Sequence, residues 1–401
     1  MGRPRDGQAS GWTGLGEGIR ETAQATVTPA LRWIKVPGFP CGQGLRLFAA
    51  EHRMTWRLSL GAAATRGARL AVGDEGGRIA DPRTVGNATS LRGWREAARG
   101  LAPIRMAIVH PCDAASLLGA IAAWEAGLIE PVLVGPEARI RVVAAEAGLA
   151  LDGFDLVDAR HSHAAAETAV ALARTGKVAA LMKGALHTDE MMQAAVRKAG
   201  GLRTERRMSH VYALDVPHHP KPLFITDAAV NIAPSLDDKR DIVQNAIELC
   251  HALGIREPKV AVLSAVETVN ARIVSTVDAA ALCKMAERGQ ITGGIVDGPL
   301  ALDNAVSGPA AAAKHIVSRV AGDADVLVVP DLVSGNMLAK QLVHLAGAEA
   351  AGLVLGASVP IVVTSRSEGE PSRVASCAMA RLSAPHRCIG SGTVRRSAGG
   401  P

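Results

Sequence analysis

Aromatic side chains are scarce in this 401-residue chain, which has four Phe, five Trp and one Tyr, 2% of the total. A sandwich held by aromatic anchors is thereby excluded. A core of this size has to be assembled from Ala, Val, Leu and Ile, which suits layered α/β packing. Cys41, Cys112, Cys250, Cys283, Cys377 and Cys388 form neither a C-x-x-C pair nor a regular framework. No disulfide scaffold is expected, and the thiols read as those of a reducing compartment. No apolar run reaches the roughly 18 residues of a membrane span, and the first thirty residues hold no apolar signal core. The chain is therefore expected to be cytoplasmic, with no membrane partner. G-x-x-x-x-G-K-[ST], H-E-x-x-H and G-x-S-x-G are all missing, which sets aside the nucleotide loop, the zinc protease helix and the serine hydrolase elbow.

Charge is present but unevenly spread. The net value is +6. Residues 1–100 carry 15 Lys/Arg against 8 Asp/Glu and residues 381–401 carry four Arg and no acid, which leaves 101–380 at minus five. The basic character belongs to the two ends. Trp12, Trp33, Trp56 and Trp94 lie among Arg and Gly in the first of them. Such residues can contact phosphates and stack on bases, but no nucleic-acid module accompanies them, so no nucleic-acid partner is expected. Residues 1–95 are read as a poorly ordered basic extension and 381–401 as a loose tail.

From Pro103 onward the texture changes. Apolar runs at 104–109, 131–135, 154–157 and 178–182 are separated by single helical stretches, which predicts a parallel, doubly wound sheet. Runs at 206–215 and 222–227 are joined by a short turn and should pair antiparallel, marking a second subdomain or an arm. Strands at 259–264, 291–300, 325–330 and 359–364 follow, with helices between them. The expectation over 96–380 is an α/β region of two subdomains, mostly parallel, between disordered basic ends. His161, His163, His218 and His219 lack the matching ligands a metal needs and are read as solvated loop histidines.

Polar chemistry gathers where strands end. The run 325–330 leads to Ser334-Gly335-Asn336 and a helix with Ser334 or Asn336 near its cap. A Gly-containing turn at a helix start offers unpaired N–H groups to an oxyanion. The run 359–364 delivers Ser365-Arg366-Ser367, and the fourth strand delivers Lys183-Gly184 ahead of a helix capped by Thr188 and Asp189. Arg207, Ser209, Asn231 and Lys340 complete the set. Fixed cations, hydroxyls and amides without a metal cluster suit a phosphate or acyl phosphate. The substrate-binding candidates are thus Lys183, Thr188, Arg207, Ser209, Asn231, Asn336 and Lys340, with no metal ligand among them.

The runs Leu181-Met-Lys-Gly184, Arg207-Met-Ser-His-Val211, Ile225-Thr-Asp-Ala-Ala-Val-Asn231, Pro330 to Lys340 and Pro360 to Arg366 resemble the phosphate acetyltransferase and phosphate butyryltransferase family. The resemblance spans 103–379. It implies a fold similar to isocitrate and isopropylmalate dehydrogenases, two α/β domains flanking a cleft, in a homodimer. It implies the reaction of acyl-CoA with phosphate to give acyl phosphate and CoA, and the reverse, with coenzyme A as substrate and no further cofactor. Ser365 and Arg366 match the family's serine-arginine pair, the Arg holding phosphate or oxyanion and the Ser the reacting groups. Acetate-type members carry an aspartate several residues beyond that pair as base. Ser372 falls in that region here, and the nearby acids are Glu368 and Glu370, of which Glu368 is taken as the third catalytic candidate. The Thr-Ser-Arg form and the Met-Lys-Gly run look closer to the butyryl-type or fused enoyl-hydratase-type branch. A metal- and NAD-dependent dehydrogenase of the same architecture would need clustered aspartates, and the Thr-Asp and Pro-Asp pairs here are too scattered. A non-catalytic binding module derived from the same fold remains the other alternative.

Overall fold

The computed structural model describes residues 90–364 and 368–388. The description opens on α1 (Leu91–Arg99), inside the stretch expected to be poorly ordered. Ser90 caps it, its hydroxyl accepting the Gly93 N–H at 3.0 Å. Leu91, Trp94 and Ala98 fall on one face and are fully buried. Trp94 donates its indole N–H to the Leu253 carbonyl at 3.2 Å and packs on Phe224 with centroids 5.6 Å apart. Helix and sheet are joined there by one of the few aromatics the chain has.

A first run of units follows: β1 (Ile104–Val109), α2 (Ala114–Glu125), β2 (Ile129–Gly135), α3 (Glu137–Glu146), β3 (Asp155–Asp158), α4 (Ser162–Arg174), β4 (Ala180–Lys183) and α5 (Thr188–Ala195). Its strands are parallel in the order β3-β2-β1-β4, as their alternation with helices requires. The hairpin β5 (Ser209–Asp215) and β6 (Leu223–Thr226) is antiparallel, with Tyr212 opposite Ile225. A second run comprises α6 (Leu236–Ala252), β7 (Lys259–Leu263), α7 (Val274–Glu287), β8 (Ile295–Leu300), α8 (Leu302–Val306), α9 (Gly308–Ala313), β9 (Val326–Val328) and α10 (Leu332–Leu345). The chain then crosses back through β10 (Glu349–Leu355) and β11 (Ile361–Val362) to α11 (Glu370–Cys388). That helix passes the boundary expected at 380. β10 went unrecognised in the sequence because Ala and Gly dilute its apolar pattern.

All strands join one sheet, β3-β2-β1-β4-β11-β10-β5-β6-β9-β7-β8. It is mostly parallel. The three antiparallel pairings, β11·β10, β10·β5 and β5·β6, lie together at its centre. One face is covered continuously by α1, α2, α3, α6, α7 and α11 over a single apolar cluster. The opposite face carries two separate clusters, one beneath α4 and α5 and one beneath α8 and α10. Their boundary runs along β10 and β5: Val354 belongs to the first, Ala350 and Tyr212 to the second.

Candidate active site

Reversal of strand direction at the centre brings two kinds of strand end to nearly one level. Met182 pairs with Val362 and Leu353 with the same Val362, while Gly352 pairs with Tyr212. One step further along these ladders, Lys183, Val363, Gly352 and Tyr212 form a row across four neighbouring strands on the face that carries two clusters. The carboxyl end of β6 arrives from the other direction, Thr226 standing opposite Val211. The ends of β4, β11 and β6 therefore stand at nearly the same level, within about one residue step along β5, with β4 and β6 four strand spacings, roughly 19 Å, apart across the sheet.

On the first side, β1 and β4 are stitched by Gly184 N–H to Val109 O and Ala185 N–H to His110 O, each at 2.9 Å. Gly184 is required there, since a Cβ would lie 2.5 Å from the Val109 oxygen and 2.8 Å from that of His110. Lys183 is buried, and its ammonium donates to the carbonyls of Gly184 at 3.3 Å and Leu186 at 3.0 Å. Thr188 is half-buried in the first turn of α5. The cap is His187 rather than Thr188 or Asp189, and it makes no side-chain cap bond, so the first N–H groups of this helix receive none.

On the second side the loop after β6 is built around Asp227. Its buried carboxylate accepts the N–H groups of Ala229, Val230 and Asn231 at 2.9–3.1 Å and the Asn231 amide at 2.5 Å. Asn231 also donates to Met208 O at 2.8 Å and accepts from Arg207 Nε at 2.7 Å. Half of the Arg207 side chain is exposed and faces Asp238 at 3.5 Å. Ser209, by contrast, is fully buried, its hydroxyl accepting from Asn245 at 2.9 Å, while Asn245 also donates to Arg207 O at 2.9 Å. Ser209 therefore braces the Arg207 turn from below. Asn245, which sequence reading passed over, is the partner that makes this possible; a lone Asn mid-helix carries no local signal.

α10 closes over the same loop. Its cap is Asp331, whose carboxylate accepts the Ser334 N–H at 2.8 Å, so Ser334 and Asn336 lie within the helix instead of capping it. Asn336 donates to Ala228 O at 3.1 Å. Gly335 allows this approach, for a Cβ would stand 2.6 Å from Val329 Cγ2 and 2.8 Å from Asp227 O. Lys340, one turn beyond Asn336 on the same side, is exposed.

Between the two sides, on β5, lie His210 and Tyr212. His210 is fully buried and its ring meets Tyr212 edge-on at 4.4 Å. Among the described residues neither ring nitrogen makes a hydrogen bond of good geometry, the Val363 backbone offering a weaker one. Burial depresses its pKa, against the pull of the Asp227 carboxylate, so the ring is neutral. Glu368 accepts the Tyr212 hydroxyl at 3.3 Å and that of Ser372 at 3.3 Å. Ser365 and Arg366 lie outside the described residues. Thr364, buried at the end of β11, leads into them one strand away from Lys183.

His161 and His163, expected in a loop, instead belong to the start of α4. His161 caps α4 through Nδ1, accepting the Ala164 N–H at 3.2 Å. Among the described residues no group of three or more His, Cys, Asp or Glu is placed to hold a metal ion. Nor is any helix among them long and apolar enough to cross a membrane.

An open α/β sheet that carries Lys183 and Arg207 beside hydrogen-bonded strand-end loops defines the class of α/β enzymes suited to anionic substrates. Comparison with known proteins identifies the family within that class. The profile described as "Phosphate acetyl/butaryl transferase" matches residues 162–381. A phosphate acetyltransferase of Rhizobium meliloti is 62% identical over 73% of this chain and 92% of its own length. A phosphate butyryltransferase of Clostridium acetobutylicum is 40% identical over 65% and 87%. The crystal structure of a branched-chain phosphotransacylase from Enterococcus faecalis V583 superposes with a TM-score of 0.61 at 31% identity, over 70% of this chain and 99% of that one. The chain belongs to the phosphate acetyl/butyryl transferase family.

Proposed function

We propose that this enzyme moves a short acyl group between coenzyme A and inorganic phosphate, in a cleft between two α/β subdomains floored by His210, Tyr212 and Gly352. Support comes above all from the β4, β11 and β6 ends standing at nearly one level in a chain 62% identical to a phosphate acetyltransferase. That identity exceeds the 40% to a butyryltransferase and favours acetyl over butyryl, against the leaning of the Thr-Ser-Arg form. A homodimer in the cytoplasm, with coenzyme A as a substrate and no further cofactor, completes the reading.

In the direction that consumes acyl phosphate, Glu368 takes the proton as the S–H bond of CoA breaks, and the sulfur forms its bond to the carbonyl carbon. The carbonyl pair moves to oxygen. It returns as the carbon–phosphate oxygen bond breaks and phosphate leaves. Arg366 and Ser365 hold the oxyanion and the departing phosphate. Arg207, Asn336, Lys183, Thr188 and Lys340 bind the remaining negative charge of phosphate and CoA, with Asn231 fixing the Arg207 guanidinium.

Incubation with acetyl-CoA in phosphate, followed by free thiol, tests this. Release that needs phosphate, ignores a metal chelator and is indifferent to NAD is the expected result. No release with acetyl-, propionyl- or butyryl-CoA would overturn the reading.

A further inference from the structure

We propose that Tyr212 is a positioning residue for the proton-accepting carboxylate, its buried hydroxyl and that of Ser372 gripping Glu368 from two sides. The inference rests on the role given to Glu368 above. Tyr212 is the only tyrosine in the chain, and it is buried in the middle of β5. Its hydroxyl donates to one carboxylate oxygen of Glu368 and Ser372, in the first turn of α11, donates to the other, both at 3.3 Å. Sheet and helix thus each hold one oxygen, which fixes the plane of the carboxylate.

The phenol is itself held. His210 meets it edge-on, and on the next strand Gly352 leaves room for that imidazole, a Cβ there falling 2.8 Å from Nε2. Burial first, then the Glu368 charge, push the Tyr212 pKa up, so it remains a donor throughout the working range. Donors on a carboxylate favour its charged form. The two hydroxyls thereby aim the Glu368 carboxylate, two residues beyond Arg366.

The test compares Tyr212→Phe, Ser372→Ala, Glu368→Gln and the Tyr212→Phe/Glu368→Gln pair in the acyl phosphate plus CoA direction across pH. Tyr212→Phe keeps the ring and its packing. It should lower kcat about tenfold, the worth of one hydrogen bond to a charged group, with little change in KM. It should also move the acidic limb of kcat/KM to higher pH, and Ser372→Ala should move it the same way. On the Glu368→Gln background, Tyr212→Phe should cost almost nothing more. Because there is one tyrosine, protein labelled with 13C at the tyrosine Cζ gives a single resonance. It should titrate with Glu368 and cease to do so in Glu368→Gln. An inactive Glu368→Gln beside a Tyr212→Phe enzyme of wild-type rate and pH profile would overturn the positioning role alone. A fully active Glu368→Gln would overturn the base assignment and this proposal together.

Discussion

Arg207 reaches Asn231 across the loop, its Nε donating to Oδ1 at 2.7 Å, while Asn231 is itself bound to Asp227 and Met208. One buried amide therefore fixes the guanidinium and the strand end at once. Asn231→Ala should lower unfolding free energy by about 1–3 kcal/mol, because Asp227 and Met208 lose a buried donor. It should also raise KM for phosphate or CoA as Arg207 becomes loose. Urea denaturation and steady-state kinetics check the two effects separately. Arg207→Ala should raise KM about tenfold or more with a smaller loss of stability; an unchanged KM for both substrates would make Arg207 purely structural.

Arg366→Ala removes the charge assigned to the oxyanion. The expected loss in kcat/KM corresponds to about 3 kcal/mol, between a hundredfold and a thousandfold. Activity within twofold of the parent would contradict that role.

Gly335 is where α10 comes down on the Asp227 loop. Gly335→Ala has no flexible neighbour to displace, since one of its contacts is the Asp227 backbone oxygen at 2.8 Å. Destabilisation of about 1–3 kcal/mol is expected. Displacement of Asn336 from Ala228 should also raise KM. Thermal melts with and without CoA read both, and an unaltered melt would show that the helix can slide.

The neutral His210 makes a pH signature. Its folded pKa lies below the ordinary 6.5 because of burial, with Asp227 opposing. Below that ordinary value the unfolded chain binds the proton and the folded chain does not, so stability falls as pH drops. The slope contributed is at most about 1.4 kcal/mol per pH unit. His210→Phe should flatten the decline between neutral pH and pH 5 in denaturant titrations. An identical slope in the variant would mean that His210 protonates freely in the fold.

Much of the chain's architecture was legible because its physics is local. Apolar runs of strand length alternating with helical spacing announce a parallel α/β sheet at 104–183, and the short turn between 215 and 223 forces an antiparallel pair. Asp331 is the cap of α10, although Ser334 and Asn336 one turn later look equally suitable in a linear string. Local rules cannot decide such a competition; the geometry of the strand end does. The sequence alone also determined that cations and hydroxyls collect after strands. Only the tertiary structure decided which of them share a surface. Ser209 and Arg207 are two residues apart, yet one is sealed against Asn245 and the other opens to solvent. The reason is that β10 runs against its neighbours on both sides. That reversal brings the ends of β4, β11 and β6 to nearly one level along β5, and it depends on the pairing of β10 with β5, segments more than a hundred residues apart.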